Sequence, residues 1–176
     1  MDKKEIKSSL LDGLGNKLAK FGFNKKPRMQ AFYRNIESGW ACVHISFIDH
    51  TDDFDVTVDM AVRFDEIEDH VNRDNKLISD KEKKRMSTLG IEIGNLSVGE
   101  QKRWSIDANV DLSAVIDSIL TMYEKFGEPY LNTYSSMEHA YALLSSNEKN
   151  LQIHSPFRTE REKRVKALAY YLGKEV

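Results

Sequence analysis

Residues 54–63 read FDVTVDMAVR, and this stretch decides the fold. Apolar residues occupy every second position, and polar or small residues stand between them. Because successive side chains of a strand point to opposite faces of a sheet, this alternation predicts a half-buried β-strand. The face with the valines would lie against the core. The opposite face, with Asp55, Thr57 and Asp59, would point outward.

Strand patterns also flank this stretch. Residues 30–36 and 40–48 have strand character, and Glu37, Ser38 and Gly39 form a turn signal between them. The polar residues 49–53 predict a second turn, so three consecutive strands on short turns would form an antiparallel meander. Two further strands are predicted over residues 88–96 and 103–110.

Helical patterns occupy the N-terminus and the last third of the chain. Asp2 and Glu5 fit a capping box ahead of an apolar stripe. Asp111 can cap a long helix, and further helix starts are predicted near residues 135 and 159. The predicted class is α+β, with the N-terminal helix first and a helical C-terminal third. Its antiparallel sheet would have about five strands, with helices packed on one face.

The length of 176 residues predicts one domain. We expect a single α+β domain over residues 1–150. Residues 151–176 are expected to form a C-terminal helix docked on the same domain.

Charge and cysteine content exclude several classes. Lys and Arg number 26 against 28 Asp and Glu, for a formal net charge of −2, which disfavours a dedicated nucleic-acid binder. Basic clusters such as Lys25, Lys26 and Arg28 are interleaved with acids and are interpreted as solvated surface. The single cysteine, Cys42, forbids an internal disulfide. With neither a signal-peptide pattern nor a membrane-length apolar run, a cytoplasmic location without membrane association is expected.

The candidate site is the polar side of the two long strands. If the turn centres near Thr51, Cys42 faces Asp59 and His44 faces Thr57. A larger set of polar residues would then share one sheet face and could bind a ligand: Cys42, His44, Ser46, Asp55, Thr57 and Asp59. A thiol nucleophile is disfavoured, since nearby carboxylates oppose the thiolate. No catalytic residue is assigned.

No cofactor and no metal are predicted. The acidic segment 49–55 resembles a calcium loop, but Phe54 stands where that loop needs glycine and Met60 where it needs glutamate. The five histidines are dispersed, without metal-ligand spacing. Gly13 and Gly15 lie within a predicted helix, so they do not form a dinucleotide loop.

The sequence also resembles a known family. The segment Gly22 to Lys26, then Phe32 to Arg34, then Gly39 and Trp40, resembles an uncharacterised bacterial domain-of-unknown-function family (DUF 4304-like). Similar segments are Trp104 to Asp107 and Glu128 to Leu131, so the resemblance covers roughly residues 2–146. It implies an α+β fold. It implies no activity and no functional residue.

Two function hypotheses remain. The first is a non-catalytic binding or interaction module that uses the uncovered sheet face or a sheet edge, with a protein partner or a second copy. A regulatory or toxin-neutralising role in a bacterium is suggested by analogy alone. The alternative is a small-molecule-binding protein or weak hydrolase that uses the polar face.

Overall fold

The computed structural model describes residues 2–26 and 29–175, and within these ranges the chain is α+β, as predicted. Six strands form one antiparallel sheet. Their order is β1-β2-β3-β4-β5, and β6 pairs with β4 beside β5. The strands are β1 (Asn24–Lys26), β2 (Ala31–Ile36), β3 (Gly39–Asp49), β4 (Phe54–Phe64), β5 (Leu89–Glu92) and β6 (Trp104–Ile106).

Helices precede, interrupt and follow the strands. The α-helices are α1 (Lys3–Leu18), α2 (Asp65–Asn72), α3 (Asp80–Lys83), α4 (Ile93–Ser97), α5 (Leu112–Met122), α6 (Glu128–Tyr134), α7 (Met137–Leu144) and α8 (Arg158–Tyr171). Short 3-10 turns span Ala19–Phe21 and Leu151–Ile153, and a π-helical turn, Tyr123–Gly127, joins α5 to α6.

The chain divides into two compact units, each made of several segments. Unit 1 comprises the chain up to Arg34 with residues 42–60 and 92–129. Unit 2 comprises residues 35–41, 61–91 and the chain from Tyr130 onward. The two long strands β3 and β4 contribute residues to both units.

The apolar side of β4 is fully buried, as the sequence predicts. Phe54, Val56, Val58 and Met60 have no exposed surface in unit 1. Helix α1 begins with the predicted Asp2–Glu5 capping box and buries one stripe. That stripe is Ile6, Leu10, Leu11, Leu14 and Leu18. This stripe and the apolar side of β4 together form the core of unit 1. Burial of each such side chain contributes about 1.5–3 kcal/mol to stability.

Glycine allows α1 and α5 to approach closely. A Cβ at Gly13 would overlap Cδ1 of Ile116 on α5. Glycine in a helix interior costs about 1 kcal/mol against alanine. Here that cost is offset by close packing between the two helices.

Two lysines of α1 hold the tip of the β3–β4 hairpin. Lys3 Nζ donates to the carbonyl oxygens of His50 (2.6 Å) and Thr51 (2.8 Å). Lys7 Nζ forms an ion pair with Asp49 at 2.5 Å. The hairpin turn is therefore anchored to the first helix of the chain.

Unit 2 packs α2 and α7 against α8 around buried charges. Glu68 of α2 and Arg164 of α8 form a paired contact, with Nε to Oε1 at 2.7 Å and Nη2 to Oε2 at 3.1 Å. Asn72 Nδ2 also donates to Glu68 Oε2, at 3.1 Å. Arg63, at 2% exposure, bonds to Asp65 and Asp69. The buried cations are thus paired with carboxylates of α2.

Several element boundaries differ from the prediction. The strand predicted over residues 88–96 ends at Glu92, and α4 follows directly. Near Gly127 the chain forms a π-helical turn that continues into α6. Helix α8 starts at Arg158, next to the helix start predicted near residue 159, and has no side-chain cap. The short helix α3 has no counterpart among the predicted elements.

Candidate binding face on strands β3 and β4

The hairpin turn fixes which polar residues face each other. The backbone N–H of His50 donates to the carbonyl of Asp53 at 3.0 Å, so the centre of the turn lies one residue beyond the centre that the predicted pairing requires. Counting along both strands from this pair places Asp59 opposite His44, in place of the predicted Thr57. The predicted register was thus wrong by two residues. A shift of two keeps every side chain on its predicted face.

His44 lies at the centre of the exposed part of this face. Its Nδ1 lies 3.3 Å from Ser46 Oγ and 3.9 Å from Asp59 Oδ2. The side chains of His44 and Asp59 are 42% and 41% exposed. Three of the six predicted residues therefore form one half-exposed polar cluster.

Cys42 lies on the same face but is buried, at 3% exposure. Burial raises the pKa of the Cys42 thiol to about 12, and Asp59 adds to the rise. Hydrogen bonds with Tyr33 and with the backbone of Phe32 oppose this rise only in part. The thiol therefore stays protonated at neutral pH, and a protonated thiol is a poor nucleophile.

Asp55 lies at the other end of the face in its own network. Ser105 Oγ on β6 donates to Asp55 Oδ1 at 2.6 Å. His50 Nε2 and Arg103 Nη1 lie 3.3 Å and 3.6 Å from Asp55 Oδ2. The bond from Ser105, followed by those two groups, lowers the pKa of the Asp55 carboxyl. Asp55 is therefore an ionised, satisfied group.

The polar face is less exposed than the alternation suggests. Asp55 and Thr57 are both buried, although their positions predicted solvent exposure. Strand β6 explains part of this burial, since Ser105 pairs directly with Asp55 in the ladder. The open part of the face is consequently narrowed to the surroundings of His44, Ser46 and Asp59.

Glu92, where β5 meets α4, adds a second carboxylate. Both of its carboxyl oxygens accept from the backbone N–H of Lys102 at 3.2 Å. Burial raises the pKa of the Glu92 carboxyl, and the charge of Asp59 raises it further, whereas backbone hydrogen bonds from Gly94 and Lys102 lower it. Asp59 and Glu92 therefore repel each other across this surface.

The His44 cluster does not have the geometry of a catalytic triad. In a triad, one ring nitrogen of histidine faces the nucleophile and the other faces the carboxylate. Here Ser46 and Asp59 both approach Nδ1. A flip of the ring would move both contacts together. The arrangement cannot relay a proton from Ser46 towards Asp59 through the two ring nitrogens.

Sequence reasoning missed several members of this surface. It placed His50 in a turn and Arg103 in a basic cluster, and it assigned no role to Tyr33, Ser105 or Glu92. The missing information is the pairing of β6 with β4, which joins positions about 50 residues apart. The predicted strand around residue 104 was the available signal, but its partner could not be deduced from periodicity.

The described residues contain neither a cluster suited to a metal ion nor a helix suited to crossing a bilayer. Within residues 2–26 and 29–175, no group of three or more histidine, cysteine or carboxylate side chains is placed to hold a metal ion. No helix of these residues has the length and apolar character needed to cross a bilayer.

In the basic cluster at residues 25–28, Lys25 pairs with Asp12, and Arg28 lies outside the described residues.

Residues of the family resemblance meet in unit 1. The Arg34 guanidinium lies 4.8 Å from the centre of the Phe23 ring and donates to Glu128 at 2.9 Å. The Tyr123 hydroxyl donates to the same carboxylate, and its burial followed by this contact raises the pKa of Tyr123. Glu128 thus links Arg34 of β2 to the π-helical turn that carries Tyr123.

Comparisons with known proteins add no assignment. The sequence matches no family model, and neither curated proteins nor solved structures give a significant match. The resemblance to a domain-of-unknown-function family therefore stays a prediction.

Proposed function

We propose that the chain is a non-catalytic binding module that recognises a protein partner through the face around His44, Ser46 and Asp59. One observation supports this proposal above the others: a half-exposed His44–Asp59 pair lies beside buried polar side chains. Ser105 Oγ holds Asp55 of the same strand at 2.6 Å, so the exposed pair presents its polar groups in a fixed position. Fixed polar groups give orientation and specificity to a protein interface.

The charge of this face favours a basic side chain on the partner. Asp59 has only His44 as an ion-pair partner among the described residues, at 3.9 Å. It also repels Glu92, whose pKa is raised first by burial and in addition by the charge of Asp59. A lysine or arginine placed over Asp59 would relieve this repulsion and form a charge-assisted hydrogen bond.

The alternative, a weak hydrolase on the same face, has less support. The Cys42 thiol is buried and protonated, and Ser46 shares one ring nitrogen of His44 with Asp59. Backbone N–H groups in the middle of paired strands are engaged in the ladder, so they are poorly placed to stabilise an oxyanion. Binding without turnover is the simpler use of this geometry.

A direct titration tests the proposal. Affinity capture with the immobilised chain supplies a partner, which is then purified and titrated by calorimetry against wild type and Asp59→Asn. We expect Asp59→Asn to weaken binding by at least about tenfold, since one charge-assisted contact is lost. Sedimentation of the chain alone decides whether the partner is a second copy.

Asp117→Asn is the matched control. Asp117 is also a half-exposed carboxylate in unit 1 and pairs with Lys17 at 2.7 Å. Its loss should change affinity by less than about twofold. Equal binding by wild type and Asp59→Asn would refute the proposed surface. Ester or phosphoester turnover that His44→Ala abolishes would refute the non-catalytic function.

A further inference from the structure

Unit 2 contains a cleft that the proposed binding face does not use. It measures about 280 Å³ and lies between residues 85–89 and residues 154–157, with Arg164 among its lining residues. Met86, Leu89, Pro156 and Phe157 give it apolar walls. The carbonyl of His154 accepts from the N–H of Gly90 at 2.9 Å, which fixes one wall against β5.

A buried hydroxyl in this wall lacks a hydrogen-bond partner. Ser155 is 2% exposed, and its Oγ makes no hydrogen bond to any described residue. Its backbone is well held, because its carbonyl accepts from Arg161 Nη1 at 2.6 Å and its N–H donates to the Leu151 carbonyl at 3.0 Å. An unsatisfied buried hydroxyl costs about 1–3 kcal/mol, so a feature that satisfies it would be stabilising.

Two arginines add positive charge to the same cleft. Arg164 uses Nε and Nη2 on Glu68, and its Nη1 has no partner among the described residues. Arg85 is exposed and lines the cleft as well. With one of the two cations balanced by Glu68, the cleft keeps a positive charge beside apolar walls.

We propose that this cleft binds a small carboxylic acid with an apolar body. The carboxylate would accept from Arg164 Nη1 and, as the wall opens locally on binding, from the buried Ser155 Oγ, and Arg85 would add attraction from the rim. The apolar body would contact Met86, Leu89 and Phe157. Ligand cavities usually measure about 300–1,000 Å³, so a cleft of this size suits a ligand with a single ring.

Phenylacetate is the probe, and binding is followed by amide chemical shifts of the isotope-labelled full chain. We expect saturable shifts at residues 85–89 and 154–157 at millimolar ligand. Phenylacetamide, which has the same shape without the charge, should bind at least about tenfold more weakly. Sulfate, which has charge without an apolar body, should also bind at least about tenfold more weakly.

Ser155→Ala separates ligand binding from folding. Because its hydroxyl is unsatisfied, alanine should leave the urea midpoint of the free protein unchanged or raise it. The same variant should lose at least about fivefold in phenylacetate affinity. Arg85→Ala should weaken binding in the same direction. Ser113→Ala, an exposed serine of unit 1, is the matched control and should bind as wild type does.

Three results would overturn the inference. The first is the absence of shifts at these residues with phenylacetate. The second is equal binding of phenylacetate and phenylacetamide. The third is undiminished affinity in Ser155→Ala. These outcomes are independent of the face in unit 1, since none of the variants touches His44 or Asp59.

Discussion

The two units place their charged residues differently. In unit 1, the His44–Asp59 pair is about two-fifths exposed and lies 3.9 Å apart. In unit 2, Glu68 has no exposed side-chain surface, and Arg164 contacts it through two nitrogens. Removing one partner of a buried pair leaves an uncompensated charge, whereas an exposed pair is screened by water. We therefore expect unit 2 charges to determine stability and unit 1 charges to determine recognition.

The largest effect is expected from Glu68→Ala. Loss of this carboxylate leaves Arg164 buried without its counter-charge and removes an acceptor of Asn72 Nδ2. The free energy of unfolding should fall by about 3–5 kcal/mol in urea titrations. The double variant with methionine at both Glu68 and Arg164 should recover most of this loss. A loss below about 1 kcal/mol in Glu68→Ala would show that this pair is no more important than an exposed one.

Arg63→Met is expected to have the second largest effect. Arg63 bonds to Asp65 and Asp69, and its Nη1 donates to the carbonyls of Lys83 (2.8 Å) and Met86 (3.0 Å). Its loss should cost about 2–4 kcal/mol, since several charge-assisted hydrogen bonds disappear together. Amide hydrogen exchange should accelerate most in residues 80–88. Uniform acceleration over the whole chain would contradict a local role for Arg63.

A moderate, pH-dependent effect is expected from His154 in unit 2. Burial lowers the pKa of His154, against a smaller opposing effect of Glu148. The unfolded chain therefore binds a proton more readily than the folded one below the ordinary histidine pKa of about 6.5. The contribution of neutral His154 to the free energy of unfolding should be fully present above that pH. The free energy of unfolding should then decrease as the pH falls, by at most about 1.4 kcal/mol per pH unit.

His154→Phe tests this dependence. Phenylalanine can keep the stacking on Tyr130, whose ring centre lies 5.8 Å from that of His154. Urea titrations between pH 5 and pH 7 should then show a flatter slope than wild type. An unchanged slope would assign the pH dependence to another group.

The smallest effect on stability is expected from His44→Ala in unit 1. The ion pair with Asp59 is exposed, and such pairs contribute about 0–1 kcal/mol. Thermal unfolding of His44→Ala should stay close to wild type, while partner binding changes. A loss comparable to that of Glu68→Ala would remove the contrast between the units.

Local patterns predicted much of the fold. The capping box of Asp2 and Glu5 and the inward apolar side from Phe54 to Val62 depend on neighbours in sequence, and both are confirmed. All six candidate residues keep their predicted face, because the register error was an even number of positions. Cys42, Asp55 and Thr57 are nevertheless buried, by packing that their sequence neighbours do not reveal.

Features that depend on distant partners could not be predicted. The sequence around α8 indicates Val165, Leu168, Ala169 and Leu172 as inward positions, and Leu168 and Ala169 are buried. Arg164 is also buried, which the apolar pattern does not predict. Arginine can occupy that position only because Glu68, 96 residues away, neutralises it. The same reasoning applies to Ser105 and Asp55, which come together only through strand pairing. Polar contacts between residues that are far apart in the sequence produce no periodic pattern from which they could be predicted.

The contacts of Lys3 and Lys7 with the hairpin tip have a practical consequence for experiments on the binding face. Acylating reagents that couple proteins to beads or dyes convert a lysine ammonium to a neutral amide. At Lys3, this chemistry would remove the donor that holds the His50 and Thr51 carbonyls, which lie just beyond the end of β3. Immobilisation through a C-terminal tag avoids this loss, so the partner search is best performed with that attachment.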